Sequence, residues 1–217
     1  MYKLLLVILF LSFSLFSANT KCVEETAPNY LNGVIGKITD GDTVRVDNAT
    51  GTYSIRILNI DAPETNYQGQ TQGYWGEFAK QNIANLLPLG TKVTVKFDVE
   101  KCDMYGRWLG TIYKGNIDIN AEQLKDGVAV LYCIYPNIAN CLEYSQYTEE
   151  AIAGGNSFMN DSSVELPYLF RHGGVNEKPV ANMNTNKVYQ PEDIELVPIH
   201  LRIFFFKMSD VKPPFHK

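Results

Sequence analysis

Between Gly33 and Tyr113 the chain is cut into β-branched runs that are short and closely spaced. Val34 to Ile38, Thr43 to Val46 and Tyr53 to Ile60 are separated by turn chemistry at Asp40-Gly41-Asp42 and Asn48-Ala49-Thr50-Gly51. Lys92 to Phe97 alternates basic and apolar residues, as a half-buried strand does. Trp108 to Tyr113 is a further strand, and the Gly115-Asn116 turn leads into a short one at Ile117 to Ile119. Connections this short leave no room for repeated parallel βαβ units, whose crossovers take about a dozen residues or more.

Helical stretches interrupt the strands. Tyr74 to Leu87 sets Trp75, Phe78, Ile83 and Leu86 near helical spacing and stops at Pro88 and Gly90. Asn120 to Asp126 starts on an Asn cap and ends at Gly127, and Leu142 to Ala153 is bounded by Gly154-Gly155. Five short strands with interposed helices predict an α+β fold: a closed five-stranded OB-type barrel with about three helices. With 217 residues, 45% of them hydrophobic, the chain can bury one main core and a smaller appendage. Residues 30–158 are read as that main domain. After about Asn156 the character changes: Asn160 to Asn186 is rich in Asn, Ser, Gly and Pro and reads as a linker. Lys187 to Phe206 regains apolar content, so 159–217 is read as a linker and a small C-terminal segment.

The start of the chain reads as an address. Met1-Tyr2-Lys3 is weakly basic, and Leu4 to Phe16 is a 13-residue apolar run, short of the roughly 20 residues a helix needs to cross a bilayer. Residues 1–20 are expected to be a cleaved signal peptide. Phe16 departs from the small-x-small cleavage rule, so an uncleaved anchor is the alternative. Lys21 before Cys22 argues against lipid attachment. A secreted or periplasmic location follows, with no membrane association after cleavage, and it permits disulfides among Cys22, Cys102, Cys133 and Cys141. The short spacing of Cys133 and Cys141 favours that pair. Spacing does not decide among the three connectivities, and free thiols remain open. With no Cys-x-x-Cys and no histidine near a cysteine in sequence, a zinc cluster is not expected.

Three segments carry candidate chemistry. Ile38-Thr39-Asp40-Gly41-Asp42-Thr43-Val44 places two carboxylates in a tight glycine turn. Ile55 to Glu64 places Arg56 in an otherwise apolar strand, where an unpartnered charge would be costly, and ends it at Asp61-Ala62-Pro63-Glu64. Asp103-Met104-Tyr105-Gly106-Arg107-Trp108 opens a hairpin strand. Alone, each reads as ordinary turn or surface chemistry.

In this order and at these separations the three segments resemble the staphylococcal nuclease family, over about Val34 to Gly154. The resemblance implies a calcium-dependent endonuclease that hydrolyses DNA and RNA with little sequence preference and leaves 3'-phosphate ends. It implies Asp42, Asp61 and the Ala62 backbone carbonyl as calcium ligands, hard oxygens of the kind that ion prefers. Alanine stands where the family usually has threonine. Glu64 is implied to activate the attacking water, Arg56 and Arg107 to grip the phosphate, and Asp40 to lie just behind the metal. Tyr105 is implied to contact phosphate and Tyr135 to border the base. Cys133, with Tyr132 beside it, takes the other aromatic position, and Met104 replaces a common lysine, so substrate binding is expected to be weak. No stable protein partner is implied, and a monomer is expected.

Charge runs against the usual footprint of a nucleic-acid binder. The chain has net charge −5, and 10 basic and 15 acidic side chains lie between Tyr30 and Asn160. Strongly salt-dependent affinity or short single-stranded substrates are therefore expected. The alternative is a barrel kept as a nucleic-acid-binding or surface module with weak or lost catalysis, though Arg56, Glu64 and Arg107 are all present. The segment from about Pro179 to Phe206 faintly resembles a module following some secreted nucleases, which often binds metal through a cysteine near Tyr-x-Pro. Here Tyr189-Gln190-Pro191 has no cysteine after Cys141, so a structural or wall-associating segment without zinc is expected. Trimming the chain near Asn160 separates these readings: retained cleavage supports the nuclease.

Overall fold

The structure is a computed structural model that describes residues 20–216; the apolar run at 4–16 and nearly all of the expected signal peptide lie outside them. Its strands are β1 (Tyr30–Ile38), β2 (Thr43–Asn48), β3 (Gly51–Ile57) and β4 (Ile60–Asp61). Then come α1 (Gly73–Leu86), β5 (Lys92–Cys102), β6 (Trp108–Lys114), β7 (Ile117–Asp118) and α2 (Ile119–Lys125). β8 (Val130–Leu131), β9 (Cys133–Ile134) and α3 (Cys141–Ala153) follow. The chain ends with α4 (Pro167–Phe170), β10 (Val180–Asn182), β11 (Val188–Tyr189) and β12 (Arg202–Phe204).

Five strands close into the expected barrel. β1 pairs antiparallel with both β2 and β5, β2 with β3, and β5 with β6. β3 then meets β6 in parallel, with Ile55 opposite Trp108 and Ile57 opposite Gly110, which removes the open edges. Alternation along β3 decides what faces inward: Tyr53, Ile55 and Ile57 are buried, and Thr52, Ser54 and Arg56 between them are not. Arg56 therefore leaves the barrel wall on its outer side, which resolves the problem of a charge in an apolar strand.

The helices cover the barrel through Ala79 and Ile83 of α1, Leu124 of α2, and Cys141 and Tyr144 of α3. Two details differ from the sequence reading. The run 53–60 is not one strand: Asn59 takes φ 63°, and the chain turns there between β3 and β4. The cap of α2 is Asp118, whose carboxylate accepts from the Ala121 amide. Asn120 is instead buried, donating to the Leu58 carbonyl and accepting from the Ile112 amide.

The larger correction concerns 160–186, which is not a linker. α4 starts on Pro167 and buries Tyr168. β12 adds in parallel to β9, Ile203 opposite Cys133, as part of a four-stranded sheet ordered β11-β10-β12-β9. A second apolar cluster joins Val130 and Phe158 to Tyr168, Val180, Ile194, Val197 and Phe204. Arg202 is 2% exposed within it, donating to the Val197 carbonyl and the Tyr168 hydroxyl. The C-terminal segment thus shares a core with the main domain. Disulfides join Cys22 to Cys102 and Cys133 to Cys141. No helix among the described residues is long and apolar enough to cross a membrane.

Candidate active site

Three pieces of backbone stack without spare room beside the barrel. A Cβ on Gly41 would lie 2.7 Å from the Ala62 Cβ and 2.8 Å from that of Ala79; one on Gly76 would lie 2.5 Å from the Glu64 carbonyl oxygen. Glycine at these positions lets the Asp40–Asp42 turn, the exit of β4 and the start of α1 touch. Gln123 of α2 fixes the turn by donating to the Gly41 carbonyl at 2.8 Å. Gln72 fixes the Glu64 loop, accepting from the Glu64 amide at 3.0 Å and donating to the Glu165 carbonyl at 2.6 Å.

Arg56 sits at the centre. One of its terminal nitrogens lies 3.0 Å from Asp42 Oδ2 and 2.7 Å from Asp61 Oδ1. The other donates to the Ile57 and Ile60 carbonyls. Asp42 also accepts from the Ala62 amide at 3.1 Å and from the Thr43 hydroxyl at 3.0 Å. Burial pushes Asp42 up, but Arg56, the Ala62 amide and Arg171 outweigh it and hold the carboxyl below its ordinary range. Asp40, whose carboxylate accepts from the Asp42 amide, is pushed up to about 7 by burial and by Asp42. Burial and Asp42 also raise Glu64.

The sequence reading missed a second guanidinium. Arg171, at the end of α4, places one terminal nitrogen 2.9 Å from Asp61 Oδ1 and 2.7 Å from Glu64 Oε1, and the other 2.8 Å from Asp61 Oδ2. Asp61 is completely buried and accepts from both arginines. Lys178, half-buried nearby, is held below the usual lysine range by burial and by the charge of Arg171. A signal for this segment was present: proline at a helix start, the apolar run Tyr168-Leu169-Phe170, and a Gly173-Gly174 stop. The polar composition around it masked that signal.

The predicted site residues divide accordingly. Asp40, Asp42, Arg56, Asp61, Ala62 and Glu64 converge. Arg107 pairs instead with Asp103, its Nε 2.6 Å from Asp103 Oδ2, and its guanidinium lies over the Tyr105 ring. Tyr105 is 74% exposed on the same turn. Tyr135 stacks its ring on Phe205 and meets Phe215 edge-on, so the face expected to border a base is engaged by the C-terminal segment.

Does this cluster suit a divalent cation? Among the described residues no three acidic, histidine or cysteine side chains form a ready-made cage. Even so, Asp42 and Asp61 aim oxygens at one point, now taken by a nitrogen of Arg56. Four carboxylates (Asp40, Asp42, Asp61 and Glu64) meet only two guanidiniums, and Asp40 is raised first by burial and then by the charge of Asp42. Hard oxygens with unbalanced charge fit Ca²⁺ or Mg²⁺, the remaining positions falling to backbone carbonyl and water.

A small closed barrel with an acidic, arginine-centred cluster at its outer wall defines the class of this protein. The model of the family described as staphylococcal nuclease homologue matches residues 54–158. An uncharacterized endonuclease of Escherichia coli O157:H7 is 30% identical over 65% of this chain and 86% of its own length. The thermonuclease of Staphylococcus hyicus is 29% identical over 53% of this chain and 65% of its own. The chain belongs to the staphylococcal nuclease homologue family. Endonuclease YhcR of Bacillus subtilis is 32% identical over 93% of this chain, and this chain spans 18% of that protein. A match of that extent runs well past residue 158 and through the segment that carries Arg171.

Proposed function

We propose that this protein is an exported endonuclease that hydrolyses phosphodiester bonds of DNA and RNA with the help of Ca²⁺, leaving 3'-phosphate ends. The observation that carries this reading is the convergence of Asp42 and Asp61 on Arg56, with Glu64 joined to Asp61 through Arg171, on a barrel of this family. Asp42 and Asp61 would hold the cation, with the Ala62 carbonyl beside them. When bound, the cation supplies charge neutralisation at the phosphate and orientation of substrate and water.

The protein's own groups do the rest. Arg56 is fixed by two carbonyls and two carboxylates, so its fork is held in one orientation at the site and would reach an anionic oxygen by exchanging a carboxylate for it. The backbone of Glu64 is held by Gln72 and packs closely on Gly76 of α1, and the raised affinity of its carboxylate for protons suits a general base. Arg107 is proposed as the second phosphate arginine. Asp103 engages its Nε, and its side chain is one-third exposed on the turn that also presents Tyr105. The two disulfides support export, since such bonds persist in oxidising compartments.

The test is digestion of plasmid DNA and of RNA by purified protein with calcium, with magnesium and with chelator, followed by end analysis. Cleavage with calcium alone, leaving 3'-phosphates, is expected. Undiminished cleavage in chelator would reject the metal, and no cleavage under any condition would leave a binding module.

A further inference from the structure

Arg171 is the one feature of the site that neither the family's signature nor the mechanism above uses. It lies outside the residues matched by the family model, 107 and 110 positions beyond the carboxylates it holds. Its contact is not incidental. The fork takes both oxygens of Asp61 and one of Glu64, at 2.7 to 2.9 Å. The segment leading into the turn that carries it is anchored at three points. Tyr168 is stacked on Tyr132 and held by buried Arg202, and Glu165 and Asp161 are tied to Gln72 and Trp75 of the main domain.

We infer that Arg171 is a positioning residue that, beside Arg56, stands in for the divalent cation: it holds Asp61 and Glu64 in the metal-free protein and yields them when the cation binds. The inference rests on the metal-dependent reading and adds to it a competitor built into the chain. Arg56 and Arg171 together take three of the roughly four acceptor positions of Asp61, so an ion competes with their hydrogen bonds for its lone pairs, and fixed positive charge within 3 Å of the ligand oxygens repels a further cation. The apparent affinity for the cation is therefore the intrinsic affinity scaled by the fraction of time the fork is withdrawn. In exchange, Asp61 and Glu64 stay paired and in place in the metal-free cluster. Because the fork is planar and bidentate, lysine replaces it only in part.

The test uses the full purified chain and the variants Arg171→Met and Arg171→Lys. Calcium binding is measured by isothermal titration calorimetry, and thermal midpoints are measured in chelator and in calcium. The expected result is that Arg171→Met binds calcium at least tenfold more tightly than the unaltered protein, melts lower in chelator and gains more from calcium. Arg171→Lys, which should fold even if the methionine variant does not, is expected to bind about threefold more tightly. Equal or weaker calcium binding in a folded variant overturns the inference and leaves the metal-dependent reading intact. Absence of calcium binding in every protein, the unaltered one included, overturns both.

Discussion

Two short turns of this molecule each present an arginine, and they use it in opposite ways. At Asp103–Arg107 the partner is Asp103, four residues back, and the turn is closed by bonds of the Gly106 and Arg107 amides to Asp103. At α4 the partners of Arg171 lie in the barrel, and the turn exists because apolar residues on both sides of it are buried against the main domain. The first arginine is legible from its neighbours and half free for substrate. The second is illegible locally, and nearly all of its fork is spent inside the protein. A local carboxylate settles an arginine's shape; a distant one joins two parts of the chain.

Removing each turn in the harshest way gives the largest expected effect. On the sequence alone, trimming near Asn160 removes only a linker and a small C-terminal segment. The structure predicts otherwise, because Val130 and Phe158 would lose their cover, and full burial of such a side chain stabilises by about 1.5–3 kcal/mol. A chain ending at Asn160 is expected to lose about 5 kcal/mol, read as a drop of at least about 10 °C in thermal midpoint. A midpoint within a few degrees of the full chain would mean that the segment is an appendage after all.

The base of the other turn is held by Cys22–Cys102 and by the Cys22 amide donating to the Gly106 carbonyl. Replacing both cysteines by serine opens a loop of 80 residues and is expected to cost about 3 kcal/mol, measured from the denaturant midpoint. Turnover should fall as well, since Arg107 loses its support. Unchanged stability would show that the hydrogen bonds alone hold the turn.

Smaller in energy but sharper in meaning are Arg107→Ala and Glu64→Gln. Each is expected to lower kcat at least about a hundredfold, near 2.7 kcal/mol, with circular dichroism unchanged and, for Arg107→Ala, calcium binding unchanged as well. That contrasts with Arg171→Met, whose signature is altered calcium binding. Full turnover in Arg107→Ala would move the phosphate grip away from this turn. The smallest effect belongs to Tyr105→Phe. The side chain is exposed, and losing one hydroxyl contact should raise KM by roughly fivefold, about 1 kcal/mol, leaving kcat alone.

Much of the barrel could be read from the chain because its determinants are local. Period-two alternation in β3, the glycine turn at Asp40–Asp42 and the stops at Pro88 and Gly154 each act over a few residues. The carboxylates and Arg56 followed for the same reason: one strand and one turn carry them. What was missed depends on long-range pairing. Asn120 looked like a cap and is a buried bridge between Leu58 and Ile112. The polar stretch after Asn160 looked like a tether, yet sparse apolar residues such as Tyr168 and Phe204 find ready-made partners in Tyr132 and Val130. Composition averages over such residues and loses them.

Docking β12 on β9 in parallel, residue 203 against residue 133, fixes an order of events in the life of each molecule. Asp61 and Glu64 leave the ribosome long before Arg171 does. At about 5–20 residues per second the interval is on the order of ten seconds. Asp61 therefore has Arg56 beside it from the start and receives its second guanidinium last, and Glu64 waits for its first.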